Sequence, residues 1–220
     1  MLQHYGPQLV NLLAAVMLLL AFAMLAQRRI MSLINLFAAQ GFTLFLSTIL
    51  VASLTGQAHL YGSALLTLAL KVLALPWILH RLIRRLNVKW DVETLLNIPT
   101  TMLFGIVLVI LAFNLASPLS LLAGTVTKST LGIALACVLL SFLMMITRSK
   151  AVPQVIGFLA MENGLFFAAT GAVYGMPMVI EFGIALDVLV AMLILGIFFF
   201  QIRERFDSLD TRHLERLKDQ

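Results

Sequence analysis

Charge is what this chain has least of. Only 11% of its 220 residues are Asp, Glu, Lys or Arg, against 61% that are hydrophobic. Soluble domains carry roughly 25% charged residues. No soluble core could hide this much apolar surface, so the solvent that fits the composition is a bilayer. Cysteine is nearly missing too. Cys137 stands alone inside an apolar run, which excludes a disulfide framework and a cysteine-held metal cluster. It reads as a small helix-packing residue. His4, His59, His80 and His213 have no metal-ligand spacing to a second His or Cys. There is also no phosphate loop, no nucleophile elbow and no paired histidine for haem. The net charge of +5 does not point to nucleic acid, because the basic residues lie at the ends of apolar segments. No Lys or Arg precedes the first apolar run; Arg28 and Arg29 follow it. A secretory signal has its positive charges first, so a permanent first helix is expected.

What is present is a series of long apolar runs. A spanning helix needs about 20 mostly apolar residues, and seven segments qualify. They are roughly 7–27, 30–54, 60–79, 98–116, 129–147, 153–174 and 178–201. Pro7 suits the start of the first. Asn97 is a plausible cap for the fourth, with Pro99 in its first turn and Pro118 after its end. Pro153 lies in the first turn of the sixth. The expected fold is an all-α integral membrane protein with seven transmembrane helices.

Loop charges support seven crossings. Of the 15 Lys and Arg, Lys71 lies inside a run and Lys128 falls on one side; all the others fall on the opposite side. Dropping the fourth run would scatter them over both faces. By the positive-inside rule the C-terminus is expected in the cytoplasm and the N-terminus outside. Trp90 and Leu95-Leu96 suggest a short interfacial stretch within 86–96. The tail from Arg203 alternates apolar and charged residues, as a solvated helical extension or a dock for a cytoplasmic partner would.

Three ionisable residues interrupt the runs: Lys71 in the third, Glu162 in the sixth and Asp187 in the seventh. They lie about eleven, nine and nine residues into their runs, which at about 1.5 Å per residue gives similar depths. Side chains buried there are costly and commonly mark ion or proton paths. Burial moves carboxyl and amine pKa values toward each other, so that a proton can hop between them. A static Lys71–Asp187 ion pair is the structural alternative. Glu181 is a candidate pathway mouth or a solvated helix end; His80 is a candidate proton exit or an interfacial histidine. Asn35, Gln40 and Asn163 are polar within helices, as interhelical glue or holders of a water chain. Gly157, Gly164 and Gly171 recur every seven residues and read as a close-packing face.

An internal repeat is expected. Shifting by 116 superimposes 68–79 on 184–195 with six of twelve identities and lays Lys71 on Asp187. A shift of 122 lays Gln40 on Glu162, and one of 123 lays Gly41 on Gly164. With one helix between them, the two three-helix units would be parallel repeats. The expected units are 1–82, a connector and fourth helix at 83–127, the second unit at 128–202, and a tail at 203–220.

The stretch Val155-Ile156-Gly157-Phe158-Leu159-Ala160-Met161-Glu162-Asn163-Gly164-Leu165-Phe166 resembles the glutamate helix of the K-type subunit of respiratory complex I and the C-type subunit of Mrp antiporters. The whole chain resembles the membrane component E of hydrogenase-4-type formate hydrogenlyase complexes. The resemblance implies that Glu162 matches the first buried glutamate of the K-type subunit, with Asp187 roughly in the place of its second carboxylate. The N-terminal unit departs from the pattern: Gln40 lies near the carboxylate place and Lys71 replaces the acid.

The resemblance further implies a non-catalytic subunit in a bacterial inner membrane, joining antiporter-like membrane subunits to a hydrogenase or other redox module. A nickel–iron centre and iron–sulfur clusters would then belong to partner subunits, with no cofactor in this chain. Two other functions fit the residues: a stand-alone secondary transporter for cations or protons, and a structural scaffold. A retinal protein is excluded, because its Schiff-base lysine lies in the last helix, where this chain has Asp187.

Overall fold

The computed structural model describes residues 2–86, 95–122 and 128–173. They form α1 (Leu2–Ala26), α2 (Ile30–Thr55), α3 (His59–Thr67), a π-helical segment (Leu68–Ala74), α4 (Leu75–Leu86), α5 (Ile98–Leu122), α6 (Lys128–Thr147) and α7 (Ala151–Val173). α3, the π-helical segment and α4 follow one another without a break and make one rod. Among the described residues there is no strand. Among those residues, six helices are long and apolar enough to cross a membrane, the build of a multi-pass membrane protein. They correspond to the first six apolar runs. The seventh run, most of the proposed interfacial stretch and the charged tail lie outside the described residues.

Three helix ends differ from expectation, two of them at prolines; the third is the rod, which continues to Leu86, seven residues past the expected end of the third run. α1 begins at Leu2 and carries Pro7 inside it. α5 runs on to Leu122 with Pro118 inside. A proline removes one backbone bond and crowds the carbonyl four residues earlier. Within about a turn of a helix end, few bonds are at stake, so each helix continues past its proline.

Helix ends are closed by identifiable groups. Gly56 takes the left-handed conformation, φ 70°, and its N–H bonds to the Ala52 carbonyl. Only a residue without Cβ does this at little cost, so the α2–α3 turn is three residues long. The end of α1 is closed from a distance. Arg148, 1% exposed, donates through Nη2 to the carbonyls of Met24 (3.2 Å) and Leu25 (2.8 Å). Both carbonyls are in the last turn, where helices leave acceptors open; that of Met24 also accepts from the Gln27 N–H at 3.2 Å. Burial pulls the Arg148 guanidinium below its usual range. Gln154 Nε2 donates to the Arg148 carbonyl at 2.8 Å, so α1, α6 and α7 are tied together at this end.

α7 packs on α6 and α2; α1 packs on α2 and α6; α5 lies outside, against α6 and α1. Small residues set the closest approach. A Cβ on Gly164 would stand 3.0 Å from Val138 Cγ2 and 3.3 Å from the Ala134 carbonyl oxygen; on Gly157 it would meet Met145 Cγ at 2.9 Å. The expected glycine face thus packs against α6 at these two positions. α5 keeps most of its apolar side chains exposed, Leu103 and Ile110 among them, as a lipid-facing helix does.

Candidate functional site

α2, the π-helical segment and α7 meet at mid-membrane depth, and each brings polar groups there. α2 supplies Gln40 and Gly41, the π-helical segment Lys71, and α7 Glu162 and Asn163. Lys71 lies in the widened turn, where the Leu75 N–H bonds to the Leu70 carbonyl five residues back. Such an insertion re-aims side chains relative to an unbroken α-helix. The sequence pattern carried no sign of it.

Lys71 Nζ stands 3.0 Å from Glu162 Oε1, and the two side chains are 8% and 13% exposed. Gly41 lies against Lys71. A Cβ on Gly41 would stand 3.4 Å from Lys71 Cβ and 3.5 Å from its carbonyl oxygen, so α2 and the rod are in direct contact at this level. The ammonium also lies 5.4 Å from the centre of the Phe166 ring, within reach of a cation–π attraction. Beside the pair, Asn163 Nδ2 donates to Gln40 Oε1 at 3.2 Å. Both amides are fully buried.

Not every polar atom here is bonded to protein. Gln40 Nε2, Asn163 Oδ1 and Glu162 Oε2 are buried with no protein hydrogen-bond partner among the described residues. Buried polar atoms almost always have partners, and ordered water is the usual one where protein supplies none. Glu162 is the only carboxylate among the described residues. An ammonium and a carboxylate in contact are a proton donor and a proton acceptor. Among the described residues no cluster of His, Cys, Asp and Glu that could hold a metal comes together.

The structure brings together Lys71, Glu162, Gln40 and Asn163. It does not bring Asn35 to them. Asn35 is on the exposed face of α2, because five residues turn an α-helix by roughly 140° from Gln40. His80 is also apart, roughly 13 Å along the rod from Lys71 at about 1.5 Å per residue. Its Nδ1 bonds to the Pro76 carbonyl at 2.8 Å. With Trp77, Arg81 and Arg84 it lines a cavity of about 590 Å³, where Arg81 stacks 5.3 Å over the Trp77 ring. Asp187 and Glu181 lie outside the described residues, and with them the expected Lys71–Asp187 pair.

The sequence placed Glu162 and Lys71 at similar depth without pairing them, and the structure brings them into contact. Thr43, Ser47, Ser63 and Thr67, all buried, were passed over as incidental hydroxyls. Ser63, Thr67 and Lys71 recur at intervals of four, as do Gln40, Thr43 and Ser47 at three and four; that spacing could have placed each set on one helix face.

No family model matches the chain, and no solved structure matches it. Among curated proteins, hydrogenase-4 component E of Escherichia coli K12 is 25% identical over 216 residues, 97% of this chain and 99% of that one; the protein of the same name from Shigella flexneri gives the same figures. That is distant homology over nearly the whole chain. The uncharacterized protein Rv0085 of Mycobacterium tuberculosis is 30% identical over 212 residues, 96% of each chain. A buried, paired charge in a bundle of spanning helices, with that identity from end to end, leads to one conclusion: the chain belongs to the same family as Rv0085, a distant homologue of hydrogenase-4 component E.

Proposed function

We propose that this chain is a non-catalytic membrane subunit of a hydrogenase-4-like, complex I-related redox complex, and that its buried charges take part in proton translocation or coupling. The observation that carries the proposal is the Lys71–Glu162 pair, 3.0 Å apart and nearly sealed from solvent. Distant homology to hydrogenase-4 component E over nearly the full chain supports the assignment to such a complex. An ion pair at mid-membrane depth is expensive unless it does something or is held by design. Gln40 and Asn163 extend the polar site by one hydrogen bond. In this proposal Asp187 and Glu181 continue the path on a seventh helix, in the second of two parallel three-helix units. His80 serves the cytoplasmic end. Electron transfer, with its nickel–iron and iron–sulfur centres, belongs to partner subunits, and antiporter-like subunits flank the chain in a bacterial inner membrane. The N-terminus is outside and the C-terminus cytoplasmic.

The test is Glu162→Gln in the intact complex. Hydrogen output and proton movement are measured together, with assembly checked by co-purification. Uncoupling in an assembled complex is expected. Unchanged coupling would overturn the proposal and favour a scaffold role.

A further inference from the structure

The two halves of the bundle, above and below the Lys71–Glu162 level, are built differently. α2 and the rod of α3 and α4 are antiparallel, joined by the short turn at Gly56. Gly41 packs against Lys71, which fixes their register. Beyond Gly41, toward that turn, α2 buries Thr43, Ser47 and Thr48. The facing helix α3 buries Ser63 and Thr67. Thr67 and Ser63 lie about 6 and 12 Å from Lys71 along the axis, and Ser47 about 9 Å from Gly41. They therefore fall in one zone between the charge pair and the α2–α3 turn.

On the other side of the pair the buried side chains of these helices are apolar. Below Gln40, α2 buries Leu33, Ile34 and Phe37. Below Lys71 the rod buries Leu75 and Leu79, and before Glu162 α7 buries Ile156 and Leu159. All of these belong to an apolar cluster that also reaches past the pair through Leu44, Phe166 and Phe167; what sets this half apart is that, among the described residues, α2, the rod and α7 bury no hydroxyl or amide in it.

Hydroxyls inside membrane helices often bond to their own backbone, and several here do. Thr43 donates to the Ala39 carbonyl and Thr48 to the Leu44 carbonyl, both at 2.9 Å. Ser47 does not. Its Oγ is buried with no protein partner among the described residues. It lies on the same side of the pair as those hydroxyls, while Glu162 Oε2, Asn163 Oδ1 and Gln40 Nε2 have no protein partner among the described residues at the pair itself. A hydroxyl bonded to its own backbone still offers oxygen lone pairs to water.

We infer that water reaches the Lys71–Glu162 pair from one side only, along a hydroxyl-lined seam between α2 and α3 that opens at the α2–α3 turn, and that the apolar cluster below the pair is a barrier. The seam is a half-channel whose ligand is water, and through water a proton. Arg28, Arg29, Arg148 and Lys150 lie at the opposite end of the bundle, so by charge bias the open end faces away from the cytoplasm. The inference deepens the proposed function by giving the pair a side. It concerns water access alone, so it can fail while Glu162 proves essential, or hold while Glu162 proves dispensable.

The test is accessibility of single cysteines to silver ion in membrane vesicles containing the chain with its partners, in a Cys137→Ala background. Ser47→Cys, Ser63→Cys and Thr67→Cys form the seam set; Ile34→Cys and Leu79→Cys form the barrier set. Gln57→Cys in the turn is the control. Silver is added from the side of the turn, and blocking is read as lost maleimide labelling after denaturation. The seam set should block faster than the barrier set by about tenfold or more, since an ion pays heavily to enter dry packing. Equal rates in the two sets, or no block in the seam set while Gln57→Cys blocks, would overturn the inference. Radiolytic footprinting of the unsubstituted chain covers the case in which a variant misfolds. Leu44 and Phe166, beside the seam, should be labelled more than Phe37 and Leu79, and the reverse order would also overturn it.

Discussion

Asn163 and Gln40, 123 positions apart, meet in a fully buried hydrogen bond of 3.2 Å between the Nδ2 of one amide and the Oε1 of the other. The bond ties α7 to α2 one residue from Glu162 and one residue from Gly41, so it fixes the level at which Lys71 meets its carboxylate. Removing one partner leaves the other buried and unbonded, which costs about 1–3 kcal/mol. Asn163→Leu is therefore expected to destabilise by that amount in denaturant titrations of the detergent-solubilised chain. Adding Gln40→Leu should recover part of the loss rather than add to it.

The Lys71–Glu162 pair should behave as a unit. Taking away one member strands a charge in the interior, at a cost of about 3–5 kcal/mol, whereas replacing both with neutral groups is often close to neutral. Lys71→Met and Glu162→Gln are each expected to lower stability, and the double variant to stand near the parent. A double-mutant cycle measures this. Under the proposed function the double variant stays uncoupled although it is stable, a result that packing alone would not produce.

Gly164 and Gly56 separate two reasons for a glycine. A methyl on Gly164 would press on Val138 Cγ2 at 3.0 Å and on the Val138 backbone nitrogen at 3.2 Å. Gly164→Ala should cost about 1–3 kcal/mol by overpacking, and Gly164→Val more. Gly56 has open space around it but a φ of 70°. Gly56→Ala should cost about 1–2 kcal/mol by strain alone. Shortening Val138 to Ala should relieve part of the first loss, since the backbone contacts stay, and leave the second unchanged.

Arg148 should resist its conservative replacement. One guanidinium nitrogen reaches two carbonyls at the end of α1. An ammonium has a different shape and stronger hydration. Arg148→Lys is expected to lose about 1–3 kcal/mol, the cost of leaving a buried acceptor, the Leu25 carbonyl, unsatisfied. The loss should show first as faster hydrogen exchange at the C-terminal end of α1, read by mass spectrometry.

The spanning helices were legible in the chain itself. Runs of some twenty apolar residues have one low-energy form in a bilayer, because every backbone group must bond within its own segment. That is why 30–54, 129–147 and 153–174 each fell within a residue or two of the helices found. Pro7 and Pro118 misled at the ends, since a proline near a terminus sacrifices too little to stop a helix.

The candidate site was half legible. That Lys71 and Glu162 are buried, and at what depth, follows from their place in apolar runs. That they touch does not follow. Contact depends on which faces α2, the rod and α7 turn toward one another, and those faces are set by Gly41, by the close approach of α6 and α7 at Gly164, and by the π-helical turn at Leu68–Ala74. The same holds for Asn35 and Gln40: both are amides of one helix, yet a rotation of roughly 140° puts one on the outside and the other against Asn163. Hydrophobicity along the chain decided what lies in the membrane and how deep. Helix rotation and packing, which depend on contacts between distant residues, decided which buried groups share a hydrogen bond.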